Sequence, residues 1–201
     1  SLGASVSPFN KLTLGAKLNY VYGRLRQVGN FTFLDASFTN SEIQRSDFYS
    51  GFNFTMGGIY EGLGDLLGSS FLQPLAIGFV FTIPTELSVN RESVLTTSQS
   101  TDTTATNAGH VDLPLSYGAG LSYLIADRYY ITADIYHQQW ENAKFFGRTL
   151  PEIRNTTRFG VGFESLPQRD LETFLKRIAF RGGFYYNQTS YVFNGTPINE
   201  M

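Results

Sequence analysis

Leu12-Thr13-Leu14-Gly15-Ala16-Lys17-Leu18-Asn19-Tyr20-Val21-Tyr22-Gly23 alternates with a period of two residues. Leu12, Leu14, Ala16, Leu18, Tyr20 and Tyr22 fall on one side, and Thr13, Gly15, Lys17, Asn19, Val21 and Gly23 on the other. Successive strand side chains point to opposite faces, so this run predicts a strand between two different solvents. One face is apolar and ends in aromatic rings. The other is polar or small.

The pattern recurs along the chain. Phe52, Phe54, Met56 and Tyr60 alternate with small and polar residues, as do Leu75, Ile77, Phe79, Phe81 and Ile83. So do Leu115 to Tyr123, Tyr129 to Gln138, Arg158 to Glu164 and Arg177 to Asn187. Ser1 to Val6 alternates as a partial strand. The reading is about eight strands of roughly 10 residues, the length that crosses a bilayer at a tilt.

The predicted connections are uneven. Ser7-Pro8-Phe9-Asn10 and Ala126-Asp127 read as tight turns. Leu25 to Asp47 reads as a long polar loop, and so does Asn90 to Asp112, with its low-complexity run from Thr96 to Thr104. Asn142 to Ile153 is another longer loop, and Gly62 to Leu72 is intermediate. Leu166 to Leu175 suggests a helical turn, with Leu171, Phe174 and Leu175 on one face. The connection near Phe193 to Pro197 is short and breaks the trend.

Short turns on one side and long loops on the other are the habit of an outer-membrane β-barrel. Closure satisfies every backbone group in lipid, which an open sheet cannot do. Tyr20, Tyr22, Tyr60, Tyr123, Tyr129 and Tyr186 fall at strand ends, where such a barrel carries its aromatic girdles. A soluble β-sandwich or lipocalin-like barrel also alternates. The polar faces, rich in Gly, Ser, Thr and single charges, and the apolar faces on every strand tilt the reading against that alternative. The fold class expected is an all-β, antiparallel, up-and-down transmembrane β-barrel.

Composition agrees. The 201 residues are 15% aromatic and 16% charged, with 20 Gly. A disordered chain would be richer in charge and a helical bundle richer in Ala, Glu, Lys and Leu. With a net charge of -2 there is no basic field for nucleic acid. The absence of cysteine excludes disulfide frameworks, Cys-based zinc sites and Cys nucleophiles. No apolar run is long enough for a membrane-spanning helix. The chain opens inside a strand pattern and stops after Pro197-Ile198-Asn199-Glu200-Met201, so a single barrel segment, residues 1–201, of a longer protein is expected.

Enzyme chemistry finds no foothold. His110 and His137 have no His, Asp or Glu at metal-ligand spacing, and no serine context supports a Ser-His-Asp triad. Gly62-Leu63-Gly64-Asp65-Leu66-Leu67-Gly68 lacks the spacing and the strand-helix setting of a dinucleotide loop and reads as a turn. No cofactor is expected.

Leu113-Pro114-Leu115-Ser116-Tyr117-Gly118-Ala119-Gly120-Leu121-Ser122-Tyr123 continues through a tight turn into Tyr130 to Tyr136 and then Gln139-Trp140. This hairpin resembles the FadL-type family of outer-membrane transporters for long-chain fatty acids and other hydrophobic compounds. Leu175 to Tyr186 and Asn194 to Glu200 resemble its Bacteroidetes-type members. The resemblance covers the chain from about residue 113. It implies a protein about twice this length, forming a barrel of about 14 strands with an N-terminal hatch. This chain would supply middle strands, without the hatch and the terminal strands. The implied location is the bacterial outer membrane. The implied partners are fatty acids or aromatic hydrocarbons and the surrounding lipid or lipopolysaccharide, and the implied state is a monomeric barrel. These motifs are architectural, so no ligand residue is carried over.

The candidate site residues come from parity alone. Lys17, Asn19, Tyr130, Asp134, Tyr136, Gln138, Arg158, Arg181 and Tyr185 fall opposite the apolar face, on the side a barrel turns to its lumen. Asp134 lies about seven residues above Asp127, Arg158 about seven above Ser165 and Arg181 about five above its turn. Those three are expected at similar height on consecutive strands, with Lys17 level several strands away. Two roles are open: lining a path or holding a carboxylate head group, or pairing with each other to fill the interior. Tyr130, Tyr136 and Tyr185 offer aromatic surface to a greasy solute. The leading expectation is passive transport of hydrophobic molecules. The alternative is a non-transporting barrel that serves as a scaffold or a protein-secretion partner, and a third is a small structural barrel.

Overall fold

The computed structural model describes residues 1–35, 39–167 and 178–201. In chain order the strands are β1 (Leu2–Phe9), β2 (Leu12–Phe31), β3 (Ser41–Tyr60), β4 (Leu75–Thr82), β5 (Thr85–Thr97), β6 (Thr101–Leu113) and β7 (Ser116–Ile125). They continue with β8 (Tyr129–Gln138), β9 (Lys144–Phe145), β10 (Arg148–Thr149), β11 (Thr156–Ser165), β12 (Phe180–Phe193) and β13 (Thr196–Glu200). Among the described residues these 13 strands form one antiparallel sheet, the all-β, barrel-type architecture that the alternation predicts. No helix among them is long and apolar enough to cross a membrane, which says nothing about crossing by strands.

The sheet has a wall and a cap. The wall runs β1-β2-β3-β4-β7-β8-β11-β12-β13, each strand beside its neighbour along the chain once the cap strands are set aside. All eight strands expected from the alternation lie in it, and β13 is added. The cap branches from β3. Its lower residues Thr55–Tyr60 pair with β4, whereas its upper residues Ser41–Ser50 pair with β5. The β5–β6 hairpin and the short β9–β10 hairpin extend the sheet from there.

The cap corrects two expectations. Leu25–Phe31 and Ser41–Asp47 are strand rather than loop: β2 and β3 are 20-residue strands in unbroken register from Leu12↔Tyr60 to Phe31↔Ser41. Asn90 to Asp112 is likewise the bulk of the β5–β6 hairpin. These stretches escape detection because both of their faces carry polar residues, so no two-residue hydrophobic rhythm marks them. Twenty residues at about 3.4 Å each give about 68 Å of strand, roughly twice what a bilayer crossing needs.

Across the wall, register fixes which residues share a face. Leu18 pairs with Phe54, Tyr20 with Phe52, Phe79 with Ala119, Ile135 with Phe159 and Val161 with Phe184, all on the apolar face. These rings and branched chains stay exposed: Phe79 by 53%, Phe159 by 49% and Phe184 by 57%. A belt of exposed apolar side chains along every strand is inside-out for a protein in water and suits lipid. The six girdle tyrosines lie on this face. Tyr20 stacks on Tyr22 at 5.8 Å and meets Phe52 in a tilted contact at 5.0 Å.

The buried apolar side chains sit instead in and beside the cap, while Ser116, Ser165 and Thr189 are buried in the wall. Leu87, Val89, Val111 and Ala143 form its apolar core, with Ser46 and Asp47 buried beside them. Turn chemistry closes the hairpins. Asn194 and Gly195 take φ of 49° and 75°, the left-handed pair an Asn-Gly hairpin turn requires. Ala126 and Asp127, with φ of 50° and 51°, do the same without a glycine. The helical turn expected from Leu171, Phe174 and Leu175 lies outside the described residues.

Candidate functional site

The inner face is the one opposite the apolar belt, and its residues fall into rows across the strands. One row runs Gly15–Gly57–Val80–Gly118–Tyr136–Arg158. The next runs Ile59–Gly78–Gly120–Asp134–Gly160–Tyr185. Glycines dominate both, so the backbone itself forms the floor. A Cβ on Gly57 would stand 2.7 Å from the Phe79 carbonyl oxygen, and one on Gly118 would stand 2.9 Å from that of Ile135. The result is an open groove of about 740 Å³, lined by Gly15, Gly57, Gly78, Gly118 and Gly120 with Lys17, Asp134 and Tyr136 among its walls.

All nine candidate residues lie on this face. Lys17 and Gln138 belong to one row, Lys17–Thr55–Thr82–Ser116–Gln138–Thr156, and Asn19 faces Asn53 one row further up. The structure brings Lys17, Asp134 and Tyr136 to the groove. It seats the Arg158 guanidinium over the Tyr185 ring at 5.0 Å. Gln138 donates from Nε2 to the Ser116 hydroxyl at 3.3 Å and accepts from Thr156 at 3.3 Å, so it is tied into the wall.

Of the three charges expected at one height, Asp134 and Arg158 stand one row apart on adjacent strands, and Arg181 is displaced. Arg181 stands level with Glu164 and Tyr130, three inner rows below Arg158. It pairs with Glu164 at 2.6 Å. The count from the turn misplaces it because β12 begins only at Phe180, level with Tyr129 at the start of β8, so Arg181 stands one residue into its strand where Asp134 stands five. Glu164 is the partner that sequence reasoning missed, although its inward parity on β11 was visible. Among the described residues, neither Asp134 nor Lys17 forms an ion pair.

Above the apolar belt, the cap is held by a different set. Arg91 donates from Nε and Nη2 to the two Asp47 oxygens at 2.7 and 2.8 Å. The same guanidinium lies 4.0 Å from the Phe146 ring centroid. The side-chain hydrogen bond from Arg91 holds the Asp47 carboxyl below its ordinary range. Burial pushes the nearby Tyr49 phenol up, and the Asp47 charge adds to it. These residues stayed hidden because they fall in segments read as loops.

No group of three or more His, Asp or Glu residues capable of holding a metal occurs among the described residues. His137 lies on the apolar face, 5.2 Å from the Tyr117 ring and within 2.8 Å of the Thr157 hydroxyl.

A wall of up-and-down strands with an apolar outer belt, girdles and a groove on the opposite face is a barrel-type fold of the kind seen in solved FadL-type structures. Solved structures share that fold. The Pseudomonas putida toluene transporter TodX is 18% identical with a TM-score of 0.55, covering 92% of this chain and 53% of that one. The Ralstonia pickettii toluene transporter TbuX is 18% identical with a TM-score of 0.57, covering 92% and 54%. A Pseudomonas aeruginosa FadL homologue is 15% identical with a TM-score of 0.60, covering 94% and 49%. The chain thus spans about half the length of the structures it matches. The BamG family model matches residues 1–201, and the chain belongs to the BamG family. No curated protein matches the sequence.

Proposed function

We propose that this chain is a segment of a monomeric barrel in the bacterial outer membrane, and that the barrel admits hydrophobic molecules passively, without cofactor or catalysis. The observation that carries the reading is the glycine-floored groove of about 740 Å³ on the inner face of a FadL-type wall. Its volume is that of a small-molecule site. Backbone and aromatic surface would hold a fatty acid or an aromatic hydrocarbon by contact. Tyr136 would supply a ring at the groove, with Tyr130 and Tyr185 lining the path below and beside it. Lys17 would meet a carboxylate head group by charge. Asn19, Gln138, Arg158 and the Arg181–Glu164 pair would keep the rest of the lumen wet. Liposomes carrying the full-length protein test this: a labelled fatty acid or toluene should enter faster than into protein-free liposomes. Equal rates defeat the reading.

A second reading is favoured by the cap. Its buried core and its two-point Asp47–Arg91 clasp are an investment that passive diffusion does not need. In that reading the barrel is a non-transporting scaffold, or a protein-secretion partner, that presents the cap to another protein. The liposome assay separates the two. A barrel that admits no probe, yet loses its cellular role when residues 91–107 are shortened to a tight turn, is a scaffold.

A further inference from the structure

On the outer face of β2, the apolar belt ends at the girdle and two arginines follow at once. Going up, this face reads Leu18, Tyr20, Tyr22, Arg24, Arg26, with Phe54, Phe52, Ser50, Phe48 and Ser46 opposite on β3. The register is unbroken, so Arg24 and Arg26 stand on the same side as the belt, one and two steps above Tyr22. Each such step is about 7 Å. The pair therefore sits where hydrocarbon gives way to lipid head groups.

Both guanidiniums are held in place by neutral groups. Arg24 lies 4.8 Å from the Phe48 ring centroid and donates to the Ser46 hydroxyl at 3.0 Å. Arg26 donates to the Gln44 side-chain oxygen at 2.5 Å. Neither forms an ion pair among the described residues. The nearest acid on that face by register is Glu92 on β5, opposite Ser46 and two strands from Arg26. Two oriented cations with donors to spare, beside a membrane surface, lack an anion. Phosphate fits the forked donor geometry of arginine best.

We propose that Arg24 and Arg26 form a binding site for the phosphate of a membrane lipid in the leaflet that abuts the cap. The aromatic step below, Tyr20, Tyr22 and Phe52, packs against the first part of its acyl chains. The arginines hold its head group, and the cap is thereby seated at a set height on the bilayer. The site is independent of whether the barrel transports.

The test is native mass spectrometry of the full-length protein released from detergent micelles, with two probes: phosphorylated lipid A and the same lipid A stripped of phosphate. The wild type should retain the phosphorylated form roughly thirtyfold better, at about a factor of five for each interfacial arginine. R24Q/R26Q should erase that difference while keeping the heat-dependent gel mobility of a folded barrel. R24K/R26K, which keeps the charge and loses the fork, should fall between. If the double variant does not fold, R26Q alone is read, and about a fivefold loss is expected. Retention of both probes equally by the wild type, or undiminished retention by the glutamine variants, overturns the proposal. Displacement of the lipid by millimolar inorganic phosphate overturns it too, since the site would then serve a soluble anion.

Discussion

The Arg91 guanidinium grips both oxygens of Asp47, at 2.7 and 2.8 Å, across the β3–β5 seam where the cap leaves the wall. Asp47 is 7% exposed and Arg91 26% exposed, so water screens this pair only partly. Leaving one charge buried without its partner is costly. Arg91→Met should destabilise the cap by about 2–3 kcal/mol, less than a fully buried pair because Arg91 still reaches solvent. The double change D47N/R91M should recover most of the loss. Protease cleavage within β5–β6, followed over time, measures both.

Acid should loosen the same seam. The folded carboxyl of Asp47 has its pKa lowered, chiefly by the Arg91 hydrogen bond. A depressed carboxyl binds fewer protons folded than unfolded, so its contribution is fully present above the unfolded value of about 3.9. It is lost as pH falls through the lower, folded value. Cap cleavage should rise steeply on acidification below about pH 4 in the wild type and show a weaker dependence in D47N. Equal slopes would assign the acid sensitivity to other groups.

Filling the groove should block passage without unfolding the wall. A Cβ at Gly78 would meet the Gly58 carbonyl oxygen at 3.7 Å, an ordinary contact, so Gly78→Phe fits its strand and projects a ring over the floor. Entry of a labelled fatty acid into liposomes should fall about tenfold or more if the groove is the path, the effect of about 1.4 kcal/mol. Gly57→Ala is the contrasting case. Its Cβ would lie 2.7 Å from the Phe79 carbonyl oxygen, so strands must shift, at about 1–3 kcal/mol. The first variant should keep its denaturation midpoint and the second should not.

The β7–β8 turn should be improvable. Ala126 carries φ of 50° with no glycine to accept it. Left-handed backbone costs an L-residue about 1 kcal/mol, so Ala126→Gly should raise stability by up to about that amount. Urea unfolding in detergent micelles reads the gain, and no change in the midpoint contradicts it.

Eight of the nine wall strands and their faces were legible in the alternation itself, because two different surroundings on the two faces of a strand call for opposite residue types at every second position. Lys17, Asp134 and Tyr185 could be placed on the face opposite the apolar belt from the sequence, since parity needs only a count along one strand. The tight turn at Ala126-Asp127 and the short connection near Phe193 to Pro197 were legible for a similar local reason. Height across strands was not. Arg181 was expected beside Arg158 and stands beside Glu164, because relative height depends on the register between strands, which a single-strand count does not contain. The cap was hidden for a different reason. Residues 25–31, 41–47 and 90–112 have polar groups on both faces, so their strand character rests on ladder hydrogen bonds to distant partners rather than on a hydrophobic rhythm. Only the tertiary structure showed that Asp47 meets Arg91, 44 residues on. The groove belongs to the same class: its glycines were visible one strand at a time, but a floor exists only once register aligns Gly15 with Gly57 and Gly78 with Gly120.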